Sequence, residues 1–347
     1  MDNSPLPRLS RTRRALYLAL GFAVAALVTF GVLEIVVRVF FPQPESMRWL
    51  VPDQRYGHLM HPNFHQRYPF IGFDFVMDVR TNSLGLRDDE LPPHQAGVKT
   101  VLFLGDSFAF GHGVNVEDRF DTVLARLLER SEQPYRLINA GVGGWGTVQQ
   151  TRFARDHFDV FQPDVIVLIF CGNDPDDDDY FAQKGQSFDR LYFPGKAFLR
   201  HHSHLFRLVN HRAYLLLHNF YLNRKKAANP GKAVDVQTAS MIRDVQWQAT
   251  LETLRGFHRD FLEFNPGGVL LLVSSEPTFD DIRERLGSLD NGSNLLFVDM
   301  KDRTSGLSWE QKRLPHDGHW SLLMHTIVAE RLRDALLALE HRREPGV

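Results

Sequence analysis

Cysteine is nearly absent: Cys171 is the only one, so the chain cannot form an intramolecular disulfide. Cys171 ends an apolar run from Val165 that reads as buried strand, and a core thiol is a better reading there than a reactive one. A basic excess is missing as well. Lys and Arg number 40 against 42 Asp and Glu, a net charge of -2, which leaves nothing to neutralise a phosphate backbone and excludes nucleic acid as a partner. Internal repeats and low-complexity tracts are also lacking. What is present suits a folded protein: 43% hydrophobic and 24% charged residues in 347. Setting aside an N-terminal apolar segment and a linker leaves roughly 250 residues, the size of one ordinary domain.

The N-terminus carries a targeting signal. Arg8, Arg11, Arg13 and Arg14 precede an uncharged stretch from Ala15 to Leu33, which Ile35 to Val37 and Val39 to Phe41 extend. At about 1.5 Å per residue this crosses a ~30 Å hydrocarbon core, with Glu34 and Arg38 near the far interface. The arginines should stay inside. The expectation is a cytoplasmic basic tail (1–14), a transmembrane anchor (15–41) and an extracytoplasmic remainder, periplasmic in a Gram-negative cell. A signal peptide cleaved after Ala23-Val24-Ala25 is the rival reading. Ala26 to Leu33 stays apolar beyond it, however, and signal h-regions are shorter.

Residues 42–98 are punctuated by seven prolines, from Pro42 to Pro93, and read as a linker or adapter. Within them Phe73 to Val79 partly alternates, like a strand. From Lys99 the pattern changes. Val101–Leu104, Tyr135–Ile138, Val165–Phe170, Val269–Val273 and Leu295–Val298 read as short buried strands. Asp118–Glu132, Thr147–Phe161 and Val236–Phe264 read as helices, and Ser321 can cap a last one. Alternating strands and helices imply a parallel sheet covered on both faces. The α/β unit is thus placed at 99–342. Residues 175–235 are too long for a simple connection and read as a lid-like insertion.

In a parallel sheet, ligands gather at the carboxyl ends of the strands. Gly105-Asp106-Ser107 follows the first strand and presents a hydroxyl there, though a plain turn with a helix cap would look the same. Asn139-Ala140-Gly141-Val142-Gly143-Gly144 follows the second, and its glycines can expose backbone N–H groups. Gly172-Asn173-Asp174 follows the third, with a side-chain amide that can aim into the same crevice or merely close an Asx turn. Such donors suit the oxyanion of acyl transfer. His316-Asp317-Gly318-His319-Trp320-Ser321 precedes the last helix and can supply a base and its acidic partner, or simply a surface turn.

Together these blocks resemble the SGNH/GDSL hydrolase superfamily over about residues 100–340. "GDSFAFGHGV", "NAGVGGWGTVQ", "GND" and "DGHWS" are similar to its four blocks, in order. The resemblance implies an α/β, flavodoxin-like fold, a five-stranded parallel sheet of order 2-1-3-4-5 between helices, here preceded by one transmembrane helix. It implies ester chemistry with Ser107 as nucleophile and His319 as general base. The oxyanion hole would be the N–H groups of Ser107 and Gly144 and the Asn173 amide. "TNSLGLR", Thr81 to Arg87, is similar to a membrane-linked subgroup often associated with surface polysaccharides. Asn82 and Arg87 are candidates for substrate binding, with a structural turn at Asn82-Ser83-Leu84-Gly85 an equal reading, and Trp145 is a further candidate.

Two departures stand out. Phe108 replaces the usual leucine. The family's Asp-x-x-His spacing places His316 where aspartate is expected, which makes Asp317, two before His319, the assigned orienting acid, with Asp302 and Asp299 as fallbacks. Asp174 and Asp176 to Asp179 read as a solvated run rather than a cation cage. His201, His202, His204 and His211 read as surface residues of the lid-like insertion. No metal or cofactor is expected. The leading reading is a serine esterase acting on an acyl group, acetyl foremost, of a cell-envelope glycan or another small ester, held to the membrane by its N-terminal helix. An O-acyltransferase, a lipid esterase and a catalytically silent glycan-binding or assembly protein are the alternatives.

Overall fold

In the computed structural model the described residues are 10–41, 47–70, 75–184, 195–210, 236–277, 279–315 and 317–343. They fall into two compact units, Met47–Arg190 with Val234–Val347, and Met1–Ser46 with Leu191–Ala233.

The larger unit is built on a parallel sheet. Its strands are β5 (Lys99–Gly105), β6 (Tyr135–Asn139), β7 (Val165–Phe170), β8 (Val269–Ser274) and β9 (Leu295–Phe297). They lie in the order β6-β5-β7-β8-β9, which is the expected 2-1-3-4-5. Alternate residues of the continuous apolar runs point to opposite faces. Leu102, Leu104, Ile166, Leu168, Leu270 and Leu272 pack on one side with Phe153, Phe161, Trp247, Leu254 and Phe261. Val101, Phe103, Val167, Ile169, Leu271 and Val273 pack on the other with Phe120, Leu124, Val328 and Leu332. The helices Thr147–Asp156 and Val236–Phe264 supply much of the first layer; Phe120–Leu128 and Leu322–Arg343 supply much of the second. Each buried Leu, Val or Phe contributes about 1.5–3 kcal/mol, so both faces hold the sheet firmly.

Two expected helices are shorter than their apolar periodicity. The one at 118–132 begins only at Phe120, because Arg119 is extended and its buried guanidinium donates to Asp121 and Asp88. The one at 147–161 breaks at His157, whose ring bonds the carbonyl of Phe153 at 2.8 Å.

Of the segment expected as linker or adapter at 42–98, the described residues from Met47 onward belong to this unit. They form two antiparallel hairpins. β1 (Leu50–Asp53) pairs with β2 (Gly57–Met60), and β3 (His65–Phe70) pairs with β4 (Phe75–Arg80). The aromatic residues explain why. Trp49 stacks on Phe110, with ring centroids 6.1 Å apart, and Tyr56 packs on Trp145 and Phe153. Phe73 and Asp74 of the expected strand lie outside the described residues.

In the smaller unit, Arg11–Phe40 is one helix of 30 residues, long and apolar enough to cross a membrane. Glu34 pairs with Arg38 at 3.0 Å. Its carboxylate also accepts hydrogen bonds from Ser203 Oγ, His204 N and Leu205 N, capping the helix at 204–210. The lid-like insertion expected at 175–235 is thus described only in part. Its first residues continue a helix of the larger unit, Asp174–Lys184, and Lys196–His202 with 204–210 are helical in the smaller. His211 lies outside the described residues.

Candidate active site

The site forms at the carboxyl ends of β5, β6 and β7. At the end of β5 the chain turns sharply from strand into the short helix Ser107–Phe110. Gly105 makes the turn at φ 154°, where a Cβ would lie 2.7 Å from that of Ala109. Asp106 is buried and caps the helix by accepting from Phe108 N at 2.9 Å. Burial pushes its carboxyl up to about 6, against that hydrogen bond. Ser107 follows, and its Oγ lies 2.7 Å from His319 Nε2.

His319 reaches Ser107 from a turn held at several points. Trp320 bridges to Arg313, Leu314 N donates to His319 O at 2.9 Å, and Trp320 Nε1 donates to Ser275 O at 2.9 Å. Arg313 donates to Gly318 O at 2.8 Å and lies over the ring of Phe108. Phe108, the departure from leucine, packs against both His319 and Trp320.

Asp317 Oδ1 meets His319 Nδ1 in a short hydrogen bond and also accepts from His319 N at 2.8 Å. Burial acts to raise the Asp317 carboxyl, but the hydrogen bond and charge of His319 outweigh it and hold it at about 2. The carboxylate is therefore ionised throughout the neutral range. Neither fallback acid is placed this way. Asp299 is paired with Arg283, and Asp302 is exposed on the helix Lys301–Thr304. His316 lies outside the described residues.

The second block sits against the serine. Ala140 N and Val142 N donate to Phe103 O and Gly105 O, extending β6 alongside β5. A Cβ on Gly143 would stand 3.8 Å from Ser107 Cβ. Gly144 has φ 80°, a left-handed conformation that glycine adopts without strain and that turns its backbone away from the strand. His58 of β2 bonds Gly143 O at 2.9 Å through Nε2, and Trp145 Nε1 donates to His58 O at 2.9 Å. Burial lowers the His58 imidazole, favouring its neutral form. Asn173 is the middle residue of the third block. Its side-chain amide is exposed but donates to Asp177 Oδ2 at 2.6 Å.

The structure thus brings Ser107, His319 and Asp317 into one chain of hydrogen bonds. It does not bring Asn82, Arg87 or Trp145 into that chain, and it buries all three. Trp145 is 0% exposed. Asn82 is buried in a turn, accepting from Leu84 N and Leu86 N and donating to Asp89 O. Arg87 is 1% exposed, and its guanidinium donates to the carbonyls of Phe110, Gly111, Asp78 and Val114. It ties the hairpin segment to the loop after Ser107. Arg87→Met should therefore cost about 3 kcal/mol of stability, because it strands buried acceptors. Denaturant unfolding checks this; an unchanged midpoint with a raised KM would restore the substrate-binding role.

The acidic run departs from its solvated reading too. Asp174 is buried and accepts from Thr147 Oγ1 at 3.0 Å. Asp178 accepts from Val148 N at 2.7 Å and Thr250 Oγ1 at 2.8 Å. Burial raises both carboxyls, that of Asp178 to about 6. The helical spacing of Asp174 and Asp178, one turn apart, was the available signal. Nothing in the sequence singled out His58, which acts from a segment read as linker.

The sequence matches the GDSL-like lipase/acylhydrolase family over residues 103–326, more than half the chain. The chain belongs to that family. It is accordingly a hydrolase of ester bonds. No curated protein matches the sequence. Among solved structures the fold is similar to that of TesA, at TM-score 0.43 and 12% identity, covering 70% of this chain and 99% of that one. It is also similar to a Clostridium thermocellum family 3 carbohydrate esterase, at TM-score 0.42 and 13% identity, covering 71% and 98% of the two chains. A psychrotrophic esterase, EstA from Pseudoalteromonas sp., gives TM-score 0.41 at 11% identity, covering 70% and 99%.

Proposed function

We propose that this GDSL-family hydrolase is a membrane-anchored serine esterase that removes or transfers an acyl group, acetyl foremost, on a cell-envelope carbohydrate. The observation that carries the proposal is the 2.7 Å approach of Ser107 Oγ to His319 Nε2 with Asp317 on the far nitrogen. Ser107 Oγ attacks the ester carbonyl while His319 Nε2 takes its proton, and the imidazolium that forms is stabilised by the Asp317 carboxylate. The tetrahedral oxyanion is received by the N–H groups of Ser107 and Gly144 and by the Asn173 amide. Collapse breaks the ester bond, His319 protonates the departing sugar oxygen, and the acyl group stays on Ser107. Water, or a sugar hydroxyl in transfer, then gives its proton to His319 and attacks the acyl carbonyl; the bond to Ser107 Oγ breaks, and His319 returns the proton to that oxygen.

The carbohydrate assignment rests on the likeness of Thr81–Arg87 to membrane-linked, polysaccharide-associated members of the superfamily. The anchor at 15–41 would place the catalytic unit outside the cytoplasm, because the arginines before it favour the inner face. In this division 1–14 is the cytoplasmic tail, and 175–235 is a lid-like insertion in the sequence of the hydrolase unit, of which Leu191–Ala233 joins the smaller unit. The test is the purified full chain in detergent, with Ser107→Ala beside it, on acetylated glycans and short-chain nitrophenyl esters. Release of acetate from a glycan by the wild type alone supports the reading. Hydrolysis of nitrophenyl esters without action on any glycan would remove the carbohydrate assignment. Inactivity on every ester would remove the enzymatic one.

A further inference from the structure

His112 takes no part in the proposed reaction, yet its ring lies beside that of His319, with centroids 4.6 Å apart. Together with Asp317 it completes a compact set: one ligand atom each from His112, Asp317 and His319, all within 4.8 Å of one another. Two imidazoles and a carboxylate are a familiar donor set for a borderline cation such as Zn²⁺, which accepts three protein ligands and keeps a fourth position for water. All three residues are only partly buried, and the side chains of Asp317 and His319 are each 22% exposed, so an ion can enter from solvent.

The third ligand is also preorganised. His112 N donates to Ser107 O at 3.0 Å, and Arg87 grips the carbonyls of Phe110, Gly111 and Val114 on either side of it. The loop that presents His112 is therefore fixed before any ion arrives, which lowers the cost of assembling the site.

We propose that His112, Asp317 and His319 form an inhibitory site for a zinc-class divalent cation, one that switches off the reaction proposed above by occupying its base. Zn²⁺ on His319 Nε2 takes the lone pair that would accept the Ser107 proton. Zn²⁺ on Nδ1 takes the position of the proton that His319 donates to Asp317. Either bond removes His319 from proton transfer, and a chelator restores it without any covalent change.

Zinc binding is measured on the full chain in detergent, independently of turnover, by competing ZnCl₂ against a chromophoric chelator. Wild type and Ser107→Ala should each bind one equivalent. His112→Ala should bind about 100-fold more weakly, since loss of even an outer-sphere partner costs 10–100-fold. In parallel, ZnCl₂ should inhibit wild-type hydrolysis of a nitrophenyl ester, EDTA should reverse it, and His112→Ala should need about 100-fold more zinc for the same inhibition. Equal zinc affinity in wild type and His112→Ala overturns the site. Hydrolysis without zinc binding by the wild type also overturns it while leaving the esterase reading intact. Zinc binding lost in His112→Ala, with no ester hydrolysed by the wild type, supports the site and fails the esterase reading instead.

Discussion

Asp317→Asn should lower turnover on a soluble ester by about 10⁴-fold, the scale seen when a serine hydrolase loses the carboxylate that orients its histidine. The amide carries no charge to balance the imidazolium. It can also donate to Nδ1, which would move the ring proton to Nε2 and leave Ser107 facing a donor instead of a base. The fold should survive, because Asp317 lies in a partly exposed turn that is pinned separately by Arg313 and Trp320. Asp302→Asn should keep wild-type turnover, since the Asp302 side chain is exposed on its helix, and His316→Ala should do so as well. The comparison is of kcat for the three variants on one ester. Full activity in Asp317→Asn with loss in either of the others would mean that the departure from Asp-x-x-His reflects a rearranged triad.

Asn173→Ala should lower kcat by about 10²–10³-fold, the usual loss for one oxyanion donor, with KM and thermal stability little changed. The amide of Asn173 already has one hydrogen bond to Asp177 Oδ2 at 2.6 Å. That bond uses one N–H of the amide and leaves a second. Asp177→Ala should therefore reduce kcat by less than Asn173→Ala does, because the donor remains but is no longer held by Asp177. Wild-type kcat in Asn173→Ala would make it a turn residue only. Steady-state kinetics on a single nitrophenyl ester decides between the two.

The sheet was legible because its strands are buried on both faces and so read as unbroken apolar runs. Val165–Phe170 is the clearest case, and the structure keeps its boundaries unchanged. The three loops and the last turn were legible because a hydroxyl, closely spaced glycines, an amide and a His–Asp pair each follow such a run or precede the final helix. What could not be read was set by contacts between distant residues. The proline-rich segment before Lys99 looks like a linker by composition. Its membership of the core depends on Trp49 meeting Phe110 and Tyr56 meeting Trp145, pairings that no local pattern encodes. Arg87 stood as a substrate-binding candidate because it ends the stretch Thr81 to Arg87 that is similar to a membrane-linked subgroup. Its burial follows from four carbonyls that converge only once the loop after Ser107 has folded. The aspartates at 174 and 178 were discounted for the same reason. Their partners Thr147 and Thr250 belong to helices far away in sequence.

The central claim is that Ser107 is the nucleophile, activated by His319. The most direct measurement is intact-protein mass spectrometry after treatment with a fluorophosphonate, which forms a stable adduct only with an activated hydroxyl. Wild type should gain the mass of one phosphonyl group, mapped by peptide sequencing to Ser107. Asp317→Asn should react far more slowly, and Ser107→Ala should gain nothing. An adduct of equal yield in Ser107→Ala, or no adduct on a wild-type chain that hydrolyses esters, would contradict the account.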